Sequence, residues 1–157
     1  MGAHSQCEAQ ERRFSAAEIA QFNDIRLTVY PFGGIVTMQW TVLLADEFEP
    51  EFLELPQEVQ DETLALTRVL QRFGPSLGRP RVDTLKGSRH ANMKELRFDA
   101  ADGVWRVVFA FDPKRRAILL VAGDKSGGSE KRFYRELIRK ADARFDAHLR
   151  RIKGRRE

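Results

Sequence analysis

The sequence predicts an α+β domain: an antiparallel-rich curved sheet with an N-terminal helical hairpin and a C-terminal helix. Three observations lead there. Trp105, Val107, Phe109 and Phe111 alternate with Arg106, Val108, Ala110 and Asp112, the period of a strand. Phe133, Leu137, Ala141, Phe145, Leu149 and Ile152 form one apolar stripe at helical spacing. The order of elements between Trp40 and the C-terminus reads β-α-α-β-β-β-α, a meander that carries helices.

The elements follow from the N-terminus. Residues 1–37 are small, polar and turn-prone, and a capping pair at Ser15 and Glu18 fades within two turns. They are expected to be a poorly ordered extension, with the patterned domain occupying 38–157. Trp40 to Ala45 is aliphatic and β-branched, a first strand. Phe48, Phe52 and Leu55 take helical spacing in an acid-rich first turn. Pro56 breaks that helix and suits the first position of the next. Val59, Thr63, Leu66, Leu70 and Phe73 continue the period until Gly74 and Pro75 stop it. The segment "GPSLGRPRVDT" reads as a loop, and a strand follows near Met93 to Phe98. "AADG" turns the chain into the alternating segment, "DPKRR" turns it again, and "AILLVAG" is short enough for an interior strand. The loop "DKSGGS" enters the last helix, and Trp40 and Trp105 are expected as core anchors.

Length and composition set limits on function. The chain has 157 residues, 42% hydrophobic and 32% charged, which suits one soluble domain with a real core. Its one cysteine, Cys7, rules out an internal disulfide and fits a reducing compartment, so a cytoplasmic location is expected with no membrane partner. No metal-ligand spacing joins His4, His90 and His148, and no P-loop, nucleophile elbow or dinucleotide fingerprint occurs. No metal or other cofactor is therefore expected. The formal charge of +4 is spread unevenly. Eight acids and no base lie between Asp46 and Glu62, whereas Lys131 to Arg156 is rich in Lys and Arg. Such a split predicts a dipolar molecule with a polyanion partner for its basic side. A solvated helix face would look the same in sequence.

A second basic cluster lies in "LKGSRHANMKELRF", where Lys86, Arg89, His90, Lys94 and Arg97 accompany one acid, Glu95. Arg97 precedes the "AADG" turn and Arg106 follows it, so a hairpin would set the two opposite each other. Two arginines so placed repel unless an anion lies between them. Lys125 leads into the last helix, and Lys131 and Tyr134 stand in its first turns, where free N–H groups favour anions. This combination suits a phosphodiester. RNA carries its own nucleophile in the 2′-OH, so cleavage needs only a base, positive charge on the phosphorane and an acid for the leaving oxygen. Lys86 or Lys94, with pKa depressed by neighbouring cations, could be the base, and His90 could serve instead. The bland alternative is that the cations solvate a sheet edge.

The series "DTLKGSRHANMKELRF", "GVWRVVFAFDP", "AILLVAGDKSG" and "SEKRFYREL" resembles the RelE/ParE superfamily of type II toxins, in its HigB-like branch. The likeness covers Met38 to about Leu149. It implies a small RelE-like fold and a ribosome-dependent mRNA endoribonuclease that inhibits translation. It also implies a cognate helix-turn-helix antitoxin (HigA-like), with the ribosome and mRNA as further partners. The family's catalytic positions fall on Lys86, Arg97, Lys125 and Tyr134, joined by Lys94 through proximity. Arg89, His90, Arg106 and Lys131 would bind RNA. Some HigB-like toxins use histidine and acidic residues near the C-terminus, and this ending departs from that arrangement. Two other readings stay open: a ParE-like DNA gyrase inhibitor without nuclease activity, and a non-catalytic basic RNA-binding module.

Overall fold

The computed structural model describes residues 40 to 155. The expectation for residues 1–37 falls outside them. Strand β1 is Thr41–Leu44, followed by helix α1 at Glu49–Glu54 and α2 at Gln57–Phe73. Pro56 is the residue before α2 and not its first, which leaves its fixed φ outside the helix while its carbonyl opens the hydrogen-bond ladder. Gly74 ends α2 with φ of +54°, and a Cβ there would lie 2.2 Å from the Trp40 indole, so glycine is required twice over.

After a 3₁₀ turn come β2 (Val82–Thr84), β3 (Met93–Ala100), β4 (Gly103–Phe111), β5 (Arg116–Asp124) and helix α3 (Glu130–Gly154). Ser129 caps α3, its hydroxyl accepting the N–H of Arg132. The sheet runs β1-β5-β4-β3-β2, with β1 parallel to β5 and every other pair antiparallel. The α+β class and the C-terminal helix are as the sequence predicts. Strand β2 is an addition: its three residues lie in a stretch of Gly, Pro and Arg too short to show a period.

Helix α3 and the segment around Trp40 lie on opposite faces of this sheet. Cross-strand partners share a face, so Arg97, Arg106 and Gly123 project together. Gly123 looks directly at Phe133 and Leu137 of α3, which therefore covers that side. The other side carries Lys94, Phe109 and Phe111, and Phe111 meets the Trp40 ring edge-on at 5.2 Å. The backbone N–H of Trp40 bonds in turn to the carbonyl of Gln71 in α2.

The core is built on phenylalanine rather than tryptophan. Phe48, Phe52, Phe109 and Phe145 are its largest fully buried side chains, while Trp40 and Trp105 are half-buried. An indole carries an N–H that must be satisfied, and Trp105 reaches the Ala100 carbonyl at 3.1 Å from the rim.

One buried polar group pins α3 to the end of β4. The Asp112 side chain is fully buried and accepts from Nε of Arg116 at 2.9 Å, with His148 Nε2 also at 2.9 Å. Burial pushes this carboxyl up, but the bonds from His148 and Arg116 outweigh it and hold it at about 2. A depressed folded-state pKa adds stability above the unfolded value near 3.8, and the gain disappears as pH falls through about 2. The gain amounts to about 2 kcal/mol. Urea midpoints measured from pH 5 down to pH 2 should therefore fall more steeply for the native chain than for Asp112→Asn.

Candidate functional site

Strand pairing decides which cations meet. Arg97 in β3 stands directly across from Arg106 in β4, as the hairpin reading required. Both share the α3 face with Glu95, two residues before Arg97, and with Asp83 of β2, the register partner of Glu95. Arg97 is partly exposed, with its guanidinium 3.5 Å from Asp83 and 3.9 Å from Glu95. Arg106 is buried, its Nε 3.9 Å from the same Glu95 oxygen and its Nη1 donating to the Trp105 carbonyl at 2.8 Å. Helix α3 completes the group, for the Tyr134 hydroxyl donates to Glu95 Oε1 at 3.4 Å.

Lys125 reaches Tyr134 from the loop that leads into α3. The Asp124 carboxylate accepts the N–H groups of Val104 and Ser126, and the Lys125 N–H bonds the Val104 carbonyl at 2.7 Å. These bonds fix the loop at the strand end. Lys125 Nζ then lies 5.8 Å from the centre of the Tyr134 ring and 2.8 Å from Glu130, a contact that lowers the Glu130 pKa. A shallow cleft of about 430 Å³ opens beside the arginines, lined by Arg79, Pro80, Arg97, Phe98, Asp99 and Arg106. Arg79 faces Asp83 at 2.5 Å, so cations and carboxylates alternate from the cleft wall to the start of α3.

The remaining predicted residues lie elsewhere. Lys94 is one residue from Glu95 and therefore projects to the opposite face, against the expectation that it works beside Arg97. Lys86 is exposed on the turn after β2 and enters none of the ion pairs around Glu95, and Lys131 is exposed at the start of α3. Arg89 and His90 are both engaged by acids of α3. Arg89 pairs with Asp146 and its backbone N–H donates to Asp142, while His90 Nε2 meets Asp146 at 2.8 Å. His90 also packs edge-on against Phe145 at 4.8 Å. Ser88 adds a 2.5 Å bond to Asp142. The basic segment thus docks on acids of α3 more than fifty residues away, partners that a local reading cannot see.

The expected dipole is weakened in the same way. Arg144 of α3 pairs with Glu51 of α1, and Arg151 lies 3.0 Å from Glu47 and 3.4 Å from Asp46. Part of the acidic stretch therefore neutralises the helix that was expected to oppose it. Glu95 is the residue that sequence reasoning passed over. Burial, the largest influence, raises its pKa, against the lowering effects of Tyr134, Arg106 and Arg97.

Comparison with known proteins places the chain in a family. The chain is 47% identical over 96 residues to "Putative toxin HigB2" of Mycobacterium tuberculosis, a match spanning 60% of this chain and 47% of that one. The chain thus spans about half of that relative. It is 43% identical over 108 residues to "Putative toxin HigB3" of the same organism, spanning 69% of this chain and 92% of the other. No solved structure matches it. Residues 50–146 match the model of the phage-derived Gp49-like proteins (DUF891), and the chain belongs to that family.

Proposed function

We propose that the chain is the toxin of a type II toxin-antitoxin pair in the HigB-like branch of the RelE/ParE superfamily, an endoribonuclease that cuts mRNA on the ribosome. The observation that carries this reading is the convergence of Arg97, Arg106 and Tyr134 on Glu95 on one face, with Lys125 beside the Tyr134 ring. The two HigB-named relatives support the toxin part.

The chemistry uses what those side chains offer. The 2′ oxygen of RNA attacks the adjacent phosphorus, the bond to the 5′ oxygen breaks, and a 2′,3′-cyclic phosphate and a free 5′-OH result. Charge builds on the non-bridging oxygens, and preorganised guanidinium and ammonium groups are most effective against it in a partly dehydrated site. Arg97 lines the cleft and Arg106 stiffens it from below. Tyr134 Oη meets the Glu95 oxygen that lies between the two arginines and can orient the attacking or leaving oxygen. Exposed Lys86 and Lys131 would extend the contact to flanking phosphates. A helix-turn-helix antitoxin and action in the cytoplasm belong to the same reading.

Induced expression followed by mapping of mRNA 5′ ends tests it. The native chain should produce in-frame cuts, and Tyr134→Phe, which keeps the ring and loses the hydroxyl, should reduce them by about ten- to a hundredfold. Growth arrest with intact mRNA and relaxed DNA would instead indicate a gyrase poison.

A further inference from the structure

Two arginines directly across a hairpin need an anion between them, and the protein supplies its own. Glu95 Oε1 lies 3.9 Å from Nε of both Arg97 and Arg106. The residue is 5% exposed, yet its Oε2 has no hydrogen-bond partner, and neither has the buried Nε of Arg106. Buried polar atoms are paired in nearly every native structure, so two orphans beside a cation-lined cleft call for an explanation. The contacts are long, and a phosphate oxygen could supply the hydrogen bond that the carboxylate does not make to Arg106.

Every element around Glu95 contributes a charged or titratable group. Asp83 faces it from β2, Arg97 from its own strand, Arg106 from β4 and Tyr134 from α3, with the Lys125–Glu130 pair beyond. Burial already favours the protonated carboxyl, and Asp83 pushes the same way. A second anion sharing the two guanidinium groups would weaken the hold of Glu95 on them.

We propose that Glu95 is a built-in occupant of the anion site, positioning Arg97 and Arg106 in the free protein and yielding them to an RNA phosphate by taking up a proton from solvent. The RNA identity of the ligand rests on the function proposed above; the exchange itself rests on the geometry. By linkage, an anion that raises the proton affinity of Glu95 is itself bound more tightly as pH falls. One linked proton gives up to about tenfold per pH unit within the titrating range.

The experiment uses a fluorescent single-stranded RNA methylated at every 2′-OH, so that it cannot be cut. Inorganic sulfate, whose charge is constant from pH 5 to 8, serves as competitor at fixed ionic strength. The native chain should bind this RNA at least about fivefold more tightly at pH 5.5 than at pH 8. Glu95→Gln should bind at pH 8 nearly as tightly as the native chain does at pH 5.5, and vary less than about twofold. In the native chain, the ¹³C shift of the Glu95 carboxyl should titrate at higher pH when sulfate is added. That measurement decides the matter even if the variant does not fold. Equal pH slopes in the two chains, or a carboxyl midpoint that sulfate does not move, overturn the proposal. If Arg97→Ala still weakens RNA binding in that case, the cleft remains an RNA site and only the exchange falls. If Arg97→Ala changes nothing, the polyanion reading of the cleft falls as well.

Discussion

Replacing Arg97 with alanine should lower mRNA cleavage by about 10²–10³-fold and leave the fold nearly as stable as before. The asymmetry follows from where the side chain sits. The Arg97 side chain is 28% exposed and makes no hydrogen bond within the described residues, only ion contacts of 3.5 and 3.9 Å to Asp83 and Glu95. Partly solvated contacts of that kind are worth less than about 1 kcal/mol to folding. In the transition state the same guanidinium would face a phosphorane carrying an extra charge, where a preorganised donor contributes several kcal/mol. Single-turnover cleavage on programmed ribosomes, set beside urea unfolding of the same preparations, separates the two effects. A variant that cleaves normally would remove Arg97 from the site.

Arg106→Ala should have the opposite character, a loss of stability of about 3–5 kcal/mol. Its side chain is 6% exposed and is one of the two countercharges of a buried carboxylate. Truncation leaves Glu95 buried with only Arg97 to balance it, and leaves a void in the middle of the sheet. The pH dependence identifies the cause. Glu95 can escape the penalty by taking a proton, so the variant should lose less stability at pH 5 than at pH 8. Adding Glu95→Gln to Arg106→Ala should recover part of the loss at pH 8. A deficit that is equal at both pH values would assign it to packing alone.

Much of this was legible in the sequence because it depends on local periodicity. The alternation from Trp105 to Phe111 and the stripe from Phe133 to Ile152 became β4 and α3. The turn between Arg97 and Arg106 was enough to set them opposite each other. The alternation rule could have gone further. Lys94 and Arg97 are three residues apart in one strand, an odd number, and so had to face opposite sides. Glu95 and Arg97 are two apart and had to share one. Reading the segment by its sum of charge hid the one acid that mattered. Other features were out of reach, since Asp142 and Asp146 meet the basic loop only through tertiary packing. The same holds for Glu47 and Glu51 against Arg151 and Arg144, and no window of sequence contains both partners.

A single hydrogen atom sets the spacing between the helix and the strands beneath the tyrosine. Any side chain at position 123 would begin 2.8 Å from the Phe133 ring. To make room, the Phe133 ring would have to turn aside or the helix to lift, and a lifted helix would carry Tyr134, the next residue along, away from the carboxylate. The reach of that phenol is thus gauged by an absence on the neighbouring strand, and Gly123 acts as the shim that brings the two halves of the site to working distance.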